Sequence, residues 1–443
     1  MNFPSTPVAP GRWPLLGHTP SLLRHRFGFT SSLADHGDLV RVYLGPVPAY
    51  MVTSPALIHQ MLVTDGKKFD KGMLFDRFRP VWGNGIAISN GAFHARQRRL
   101  MQPAFHVKRI AGYADVMSEV ARGMAGSWHA GQVVQVDQAM LEVSITVAGR
   151  TLFSTELGKA AIAEARRSLP VVIKQGMVRA LSPGFVTHLP IPGNHQFDQA
   201  IQRLHGIVFD VIAEGRAQQE DRGDILSMLL ATPDEDTGEP MTDQQVYDEV
   251  ITLLTGSGET VMLAMSWFFH EIARHPALER RWHEEIDQFG GRPLTYEDLP
   301  KLRYTAMVCK EVLRRYPIWL LMRRTNTEVD LGGTLIPPRT EVAFSPHALH
   351  HDPRFHPDPY RFDPDRWDTS KTPPPPQGAY VPFSDGSRKC IGNHFALAEM
   401  AITTATIGSR WRLVPVPGRP VRIKVTGAAY PSQLPMTVEQ RTV

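Results

Sequence analysis

Ten residues, Phe383-Ser384-Asp385-Gly386-Ser387-Arg388-Lys389-Cys390-Ile391-Gly392, set one cysteine between two glycines with a cation two positions before it. A helix-like run, Phe395-Ala-Leu-Ala-Glu-Met400, follows. A thiolate in that setting is suited to holding an iron. Glycine lets the backbone turn so that peptide N–H groups can face the sulfur. The helix beyond it offers its positive N-terminal end to the same anion. Phe383 is expected to cover the sulfur and keep water from it. One cysteine alone reads as a small buried hydrophobe; five specified positions within ten residues argue for a ligand instead.

Other groups with chemistry stand farther back. Glu311 and Arg314 lie three apart, and Tyr316-Pro317 follows at once. By itself a Glu-x-x-Arg pair is an ordinary helical ion pair. Phe362-Asp-Pro-Asp-Arg366-Trp367 supplies a further guanidinium, with Arg361 beside it. Gly256-Ser257-Gly258-Glu259-Thr260 sits inside a long helical pattern. Glycine beside a hydroxyl residue in mid-helix favours a kink or a widened turn; a solvent-facing glutamate and a back-bonding threonine are the plain alternative. His94 and Arg98 stand one turn apart. His347, His350, His351 and His356 fit no His-Glu-x-x-His zinc spacing and have no thiolate near them, so a zinc hydrolase is only a rival reading. Gly83-Asn84-Gly85 and Gly256-Ser257-Gly258 lack the third glycine of a dinucleotide loop, and no phosphate-binding loop or Gly-x-Ser-x-Gly elbow occurs.

These groups need a scaffold. The 443 residues, 42% hydrophobic and 21% charged, are those of a globular chain with a large core. No repeat or long linker divides it, so one domain over residues 1–443 is expected, with Pro233 to Pro240 and Pro373 to Pro376 as surface loops. Leu39 to Leu44 and Ala49 to Thr53 read as a hairpin about a Gly-Pro turn. From about residue 95 to 290 the pattern is helical. The clearest helix starts at Thr242, where Gln245 completes a capping box. Val246, Val250, Leu253, Leu254, Val261, Met265 and Phe268 carry its spacing to His275, and Pro276 ends it. A helix from Arg303 to Tyr316 carries Glu311 and Arg314. Short strands are expected at Val329 to Leu331, at Glu341 to Phe344 and near the C-terminus. The fold class is mainly α with small β-sheets.

The two cysteines, Cys309 and Cys390, exclude a disulfide framework and point to a reducing compartment. The first forty residues hold no bilayer-spanning run and no signal peptide, so a cytoplasmic protein is expected. The net charge of +4 is spread along the chain without a basic run that would suggest nucleic acid; it suits an acidic protein partner, and a solvated surface that is merely basic is the equal alternative.

The Cys390 loop, F-x-x-G-x-R-x-C-x-G, resembles the haem-binding loop of the cytochrome P-450 superfamily, the haem-thiolate monooxygenases. The Pro-Gly-Arg-Trp-Pro-Leu-Leu-Gly-His opening, the Glu311/Arg314 pair and the Gly256–Thr260 stretch follow the family's order. The resemblance implies a single-domain fold with a long central helix over a b-type haem, and Cys390 as axial thiolate. It implies a Glu311–Arg314–Arg366 network behind the loop, with Trp367 where phenylalanine is usual and Arg361 as the other candidate. Thr260 would hold water at the oxygen-binding side while Glu259 feeds protons inward, although Ser257 replaces the usual glycine. His94, Arg98, Arg323 and Arg388 would face the haem propionates, with Phe383 and Gly392 shaping the loop. In such enzymes a C–H bond of the substrate is hydroxylated with O2. Electrons from NADPH would arrive through a separate ferredoxin and ferredoxin reductase, to a protein expected as a monomer.

By the same resemblance, Phe75, Phe78 and Trp82, then Thr255 and Gly256, then Ile318, Trp319 and Leu320 would line the substrate pocket, under a lid from Pro170 to Leu189. Plain core packing is the alternative for each of these residues. The lining is apolar and bulky, which suits a compact hydrophobic molecule such as a terpene; a fatty acid or polyketide is the alternative. A peroxide-driven peroxygenase and a non-catalytic haem protein are the other rivals.

Overall fold

The computed structural model describes residues 6–153, 156–182, 184–218, 222–233, 238–425 and 427–441. The expected loop from Pro233 to Pro240 and the lid from Pro170 to Leu189 therefore lie partly outside the described residues. The chain forms two compact units, each drawn from three separate stretches.

The first unit comprises Met1–Asp76, Lys310–Cys390 and Ile423–Tyr430. Its centre is a five-stranded sheet in the spatial order Leu39–Leu44, Val47–Val52, Glu341–Phe344, Leu321–Thr325, Phe69–Lys71. The expected hairpin closes at Leu44↔Val47, and only the pairing of Val47–Val52 with Glu341–Phe344 is parallel. Alternate residues face opposite sides of a strand. Accordingly Tyr50, Val52, Val342 and Phe344 enter one hydrophobic cluster, and Ala49, Met51, Ala343 and Met322 enter another. The sheet is thus buried on both faces, which is why its strands read as apolar runs. Val329–Leu331 pairs with Thr334–Ile336 across Gly332-Gly333, a partner strand that sequence reading did not single out.

The second unit comprises Arg77–Cys309, Ile391–Arg422 and Pro431–Val443 and is mainly helical. The long helix is Asp243–Arg274, capped by Thr242 with the reciprocal Gln245 bond and ending before Pro276. Its second half, from Val261 to Ile272, is buried on every side. Helix Val136–Leu152 packs along it, helix Pro192–Gln218 packs against Glu156–Leu181, and helix Asn393–Gly408 packs against Val107–Gly126. A small sheet, Val133–Gln135, Pro435–Gln440 and Trp411–Pro415, interrupts the helical region. Among the described residues no helix is long and apolar enough to cross a membrane.

Candidate active site

In the first unit Cys390 is exposed. Its N–H donates to the Phe383 carbonyl at 2.9 Å, closing the loop around the short helical turn Gly386–Arg388. The Cys390 amide is therefore committed to the loop and is not turned to its own sulfur. The two glycines have different duties. Gly386 sits at φ +66°, and a Cβ there would overlap the Leu62 carbonyl. Gly392 also lies in a turn, serving as the N-cap of helix Asn393–Gly408, but its φ of −89° is one that other residues adopt as well. Phe383 is half-buried.

Two cations lie behind this loop. Arg323, 2% exposed on its strand, donates to the Met322 carbonyl at 2.9 Å and to Ser384 Oγ at 3.2 Å. Burial, and then the charge of Arg388, pull its pKa down to about 10. Arg388 itself faces Asp70 at 3.7 Å. Both side chains are withdrawn from water, and Arg323 is buried next to the Arg388 cation, which costs free energy and favours an added anion.

The Glu311–Arg314–Arg366 network is assembled on helix Arg303–Arg315. Glu311 and Arg314 are fully buried and meet in a bidentate pair, both contacts 2.9 Å. Arg366 Nε donates to Glu311 Oε1 at 3.0 Å. Trp367 Nε1 donates to Glu311 Oε2 at 3.0 Å, a bond no phenylalanine could make. Arg361 is excluded as the third member: its guanidinium is exposed, and only its carbonyl accepts, from Arg314 at 3.3 Å and Arg366 at 3.4 Å. The four histidines serve backbone and stacking. His350 Nε2 accepts from the Val381 N–H at 3.0 Å, His356 bonds to the Ala379 carbonyl at 3.0 Å, and His347 stacks between Phe27 and His351. Burial holds all four rings below the usual imidazole range. Among the described residues no group of His, Cys, Asp and Glu is arranged to hold a metal.

In the second unit the long helix runs unbroken through Gly256–Thr260, so the expected widened turn is absent. Ser257 and Thr260 donate to the carbonyls four residues earlier, Leu253 and Gly256, each at 2.7 Å. Both hydroxyls thus adopt the ordinary back-bonding of helical Ser and Thr. Thr260 is exposed. Glu259 keeps part of its surface open, but Oε1 is buried with no hydrogen-bond partner among the described residues, and burial pushes its pKa up to about 7. His94 is buried with Nδ1 at 3.2 Å from Ser89 Oγ, and Arg98 is half-buried one turn on.

The predicted pocket residues divide. Phe75 lies under Lys71 Nζ, 4.5 Å from the ring centroid. Ile318 pairs with Ala428, and Leu320 packs on the apolar cluster of the sheet. Trp319 is 5% exposed inside that cluster, with its N–H on the Arg26 carbonyl at 3.3 Å; it is core, not pocket wall. Phe78 and Trp82 stack at 4.8 Å, and the Trp82 N–H donates to Thr255 Oγ1 at 2.7 Å. Gly256 is exposed.

The first unit thus holds both a buried, multiply hydrogen-bonded Glu-x-x-Arg–Arg cluster and a glycine-turned cysteine loop. The family model described as cytochrome P-450 matches residues 7–436. The chain belongs to the cytochrome P-450 family. It is 44% identical to the cyclooctat-9-en-7-ol 5-monooxygenase of Streptomyces melanosporofaciens, over 99% of this chain and 96% of that one. It is 36% identical to the pentalenene oxygenase of Streptomyces avermitilis, over 98% and 97% of the two. The haem domain of another cytochrome P-450 shares the fold at TM-score 0.87 and 23% identity, covering 100% of this chain and 99% of that one.

This cytochrome P-450 is thus an oxygen-using oxidoreductase of a family that binds haem iron through a thiolate. The residues present fit that group. Cys390 offers a sulfur at the surface of its unit, and Arg323 with Arg388 offers paired positive charge to a group bearing two carboxylates. Three acids escaped sequence reading. Glu249 is buried and pushed up to about 8, accepting from the Ile86 N–H at 2.9 Å; Asp248 accepts from the Asn84 N–H at 2.8 Å; Glu399 is fully buried and pushed up to about 8. The available signal was their place among apolar residues on helices with no cation one turn away.

Proposed function

We propose that the enzyme hydroxylates a compact cyclic hydrocarbon of terpene type, with Cys390 as the iron's axial ligand. The supporting observation is the exposed Cys390 on its glycine-turned loop beside the buried Arg323 and Arg388. Haem, when bound, supplies O2 activation and one-electron redox chemistry. The chain's own residues do the rest. Glu311, Arg314 and Arg366 hold the segment behind the loop rigid. Arg323 and Arg388 in the first unit bind and orient carboxylates, and His94 and Arg98 in the second are the other candidates for that role. Glu259, poised near neutrality, gives up and regains a proton at its buried carboxyl, and Thr260 places a hydroxyl one residue along.

The relatives' printed names, a cyclooctat-9-en-7-ol monooxygenase and a pentalenene oxygenase, accord with a terpene-like substrate. So do the stacked apolar faces of Phe78 and Trp82. The chain would act as one cytoplasmic domain and a monomer, taking electrons from an acidic ferredoxin and its reductase, which suits the net charge of +4. The test is the spectrum of the reduced protein with and without carbon monoxide. A strongly red-shifted Soret band in the wild type, lost in Cys390→Ala, supports thiolate ligation by Cys390. An unshifted band in both proteins overturns it.

A further inference from the structure

The Gly83-Asn84-Gly85 turn binds no dinucleotide; in the second unit it is occupied from within. Asp248 Oδ2 accepts from the Asn84 N–H at 2.8 Å, and Glu249 Oε2 accepts from the Ile86 N–H at 2.9 Å. Gly83 sits at φ +53°, and a Cβ there would overlap the Asp248 carboxylate. A Cβ on Gly85 would overlap Thr252 Oγ1. Both glycines are therefore required by the close approach of the long helix, as well as by the turn itself in the case of Gly83.

Asp248, Thr252 and Thr255 follow one another at intervals of four and three, so they form a stripe along one helix face. The last of them meets Trp82. Thr255 Oγ1 donates its own hydrogen to the Ile251 carbonyl at 2.7 Å, which leaves a lone pair to accept from the Trp82 indole N–H, also at 2.7 Å. Trp82 stacks on Phe78 with centroids 4.8 Å apart and planes 21° from parallel. Gly176 leaves Phe78 and Val81 room: even an added Cβ would stand 3.7 and 3.8 Å from them. Trp82 is thus held by its own hydrogen bond and by the bonds that fix the chain just after it, and Phe78 is held by stacking on Trp82.

We propose that the stripe Asp248–Thr252–Thr255 sets the register of residues 78–86, and that Thr255 is a positioning residue that locks Phe78 and Trp82 into a flat aromatic wall selecting rigid cyclic hydrocarbons over flexible chains. This rests on the substrate reading above and deepens it. A wall that is already ordered demands no further loss of side-chain freedom when a ligand arrives, and a rigid ring system has little of its own to lose. A flexible chain must freeze many torsions to lie on the same surface. The aromatic faces then take C–H contacts without requiring any polar group on the ligand.

The test uses the haem-loaded enzyme, labelled with fluorotryptophan, and the variants Thr255→Val, Thr255→Ser and Trp82→Phe. The Trp82 fluorine line, assigned by its loss in Trp82→Phe, reports the strap without ligand. It stays sharp in the wild type and Thr255→Ser, and broadens or splits in Thr255→Val. Spin-state titration with adamantanol and decanol, matched in heavy atoms, reports selection. In Thr255→Val the preference for adamantanol falls by roughly threefold to tenfold, the worth of one hydrogen bond. Thr255→Ser restores it, and adding Thr255→Val to Trp82→Phe changes it no further. A sharp Trp82 line in Thr255→Val, or Thr255→Ser behaving as Thr255→Val, overturns the strap and leaves the substrate reading standing. A wild type that prefers decanol overturns the selection and the substrate reading together, whatever the fluorine line shows.

Discussion

Trp367 donates its indole N–H to Glu311 Oε2 at 3.0 Å, and so becomes a donor in a network that needs no donor from that position. The same carboxylate also receives Arg314, Arg366 and the Asp363 N–H, all within 3.0 Å. Trp367 further packs on Tyr380, ring centroids 4.4 Å apart.

Replacing Trp367 with phenylalanine keeps most of the packing and removes one hydrogen bond to a buried charge, costing about 1.5–3 kcal/mol. Denaturant unfolding is expected to show that loss while haem content stays near the wild type. Glu311→Ala differs in kind: it leaves Arg314 buried without its anion, costing about 3–5 kcal/mol, and the purified protein is expected to carry little haem.

Arg323 gives the opposite sign in the two forms of the protein. In haem-free protein its buried guanidinium has Arg388 for a neighbour, so Arg323→Met is expected to raise the thermal midpoint. With haem bound, the variant forfeits a charge-assisted contact, and haem passes to apomyoglobin roughly tenfold faster or more. An unchanged transfer rate would remove Arg323 from the haem site.

The buried acids make stability depend on pH. The unfolded chain loses its glutamate protons near the ordinary carboxyl range, whereas folded Glu249 and Glu399 keep theirs until about 8. Between those limits the folded state binds more protons, so stability falls as pH rises. The fall is complete only above about 8. Glu399→Gln is expected to match the wild type in thermal midpoint near pH 5 and exceed it at pH 9, a flatter slope measured by scanning calorimetry. A parallel slope in the variant would mean that Glu399 is ionised when folded.

Glu259, pushed up to about 7, is expected to supply protons only while it still holds one. Product formation should therefore decline as pH rises through about 7. Glu259→Gln is expected to lower it on the order of a hundredfold and to abolish that decline. The carbon monoxide spectrum should stay unchanged, which separates proton supply from haem loss.

Legibility followed locality. The capped helix Asp243–Arg274 could be read because its start, its spacing and its stop all lie within one stretch of chain. The Leu39–Leu44 hairpin was readable for the same reason. Phe69–Lys71 was not, because its strand partner, Leu321–Thr325, lies more than two hundred residues away, and Leu321–Thr325 itself, with Arg323 and Arg324 at its centre, is a strand by pairing with that distant segment and with Glu341–Phe344. The motif favoured Arg366 and left Arg361 as its runner-up; packing decided between them, since only the Arg366 guanidinium turns toward Glu311.

The sequence by itself pointed to the family, to Cys390 as the candidate ligand and to Glu259 and Thr260 as the candidate acid and hydroxyl, because these rest on residue types at fixed short spacings. Tertiary structure decided the rest. It turned Trp319 into the core, made Trp367 a donor, kept the helix at Gly256 unbroken, and brought Asp248, Glu249 and Thr255 to residues 82–86. Those outcomes depend on which side chains and backbone amides meet across long chain separations. Hydrogen bonds and burial act through space, and no local pattern encodes which partner closes them.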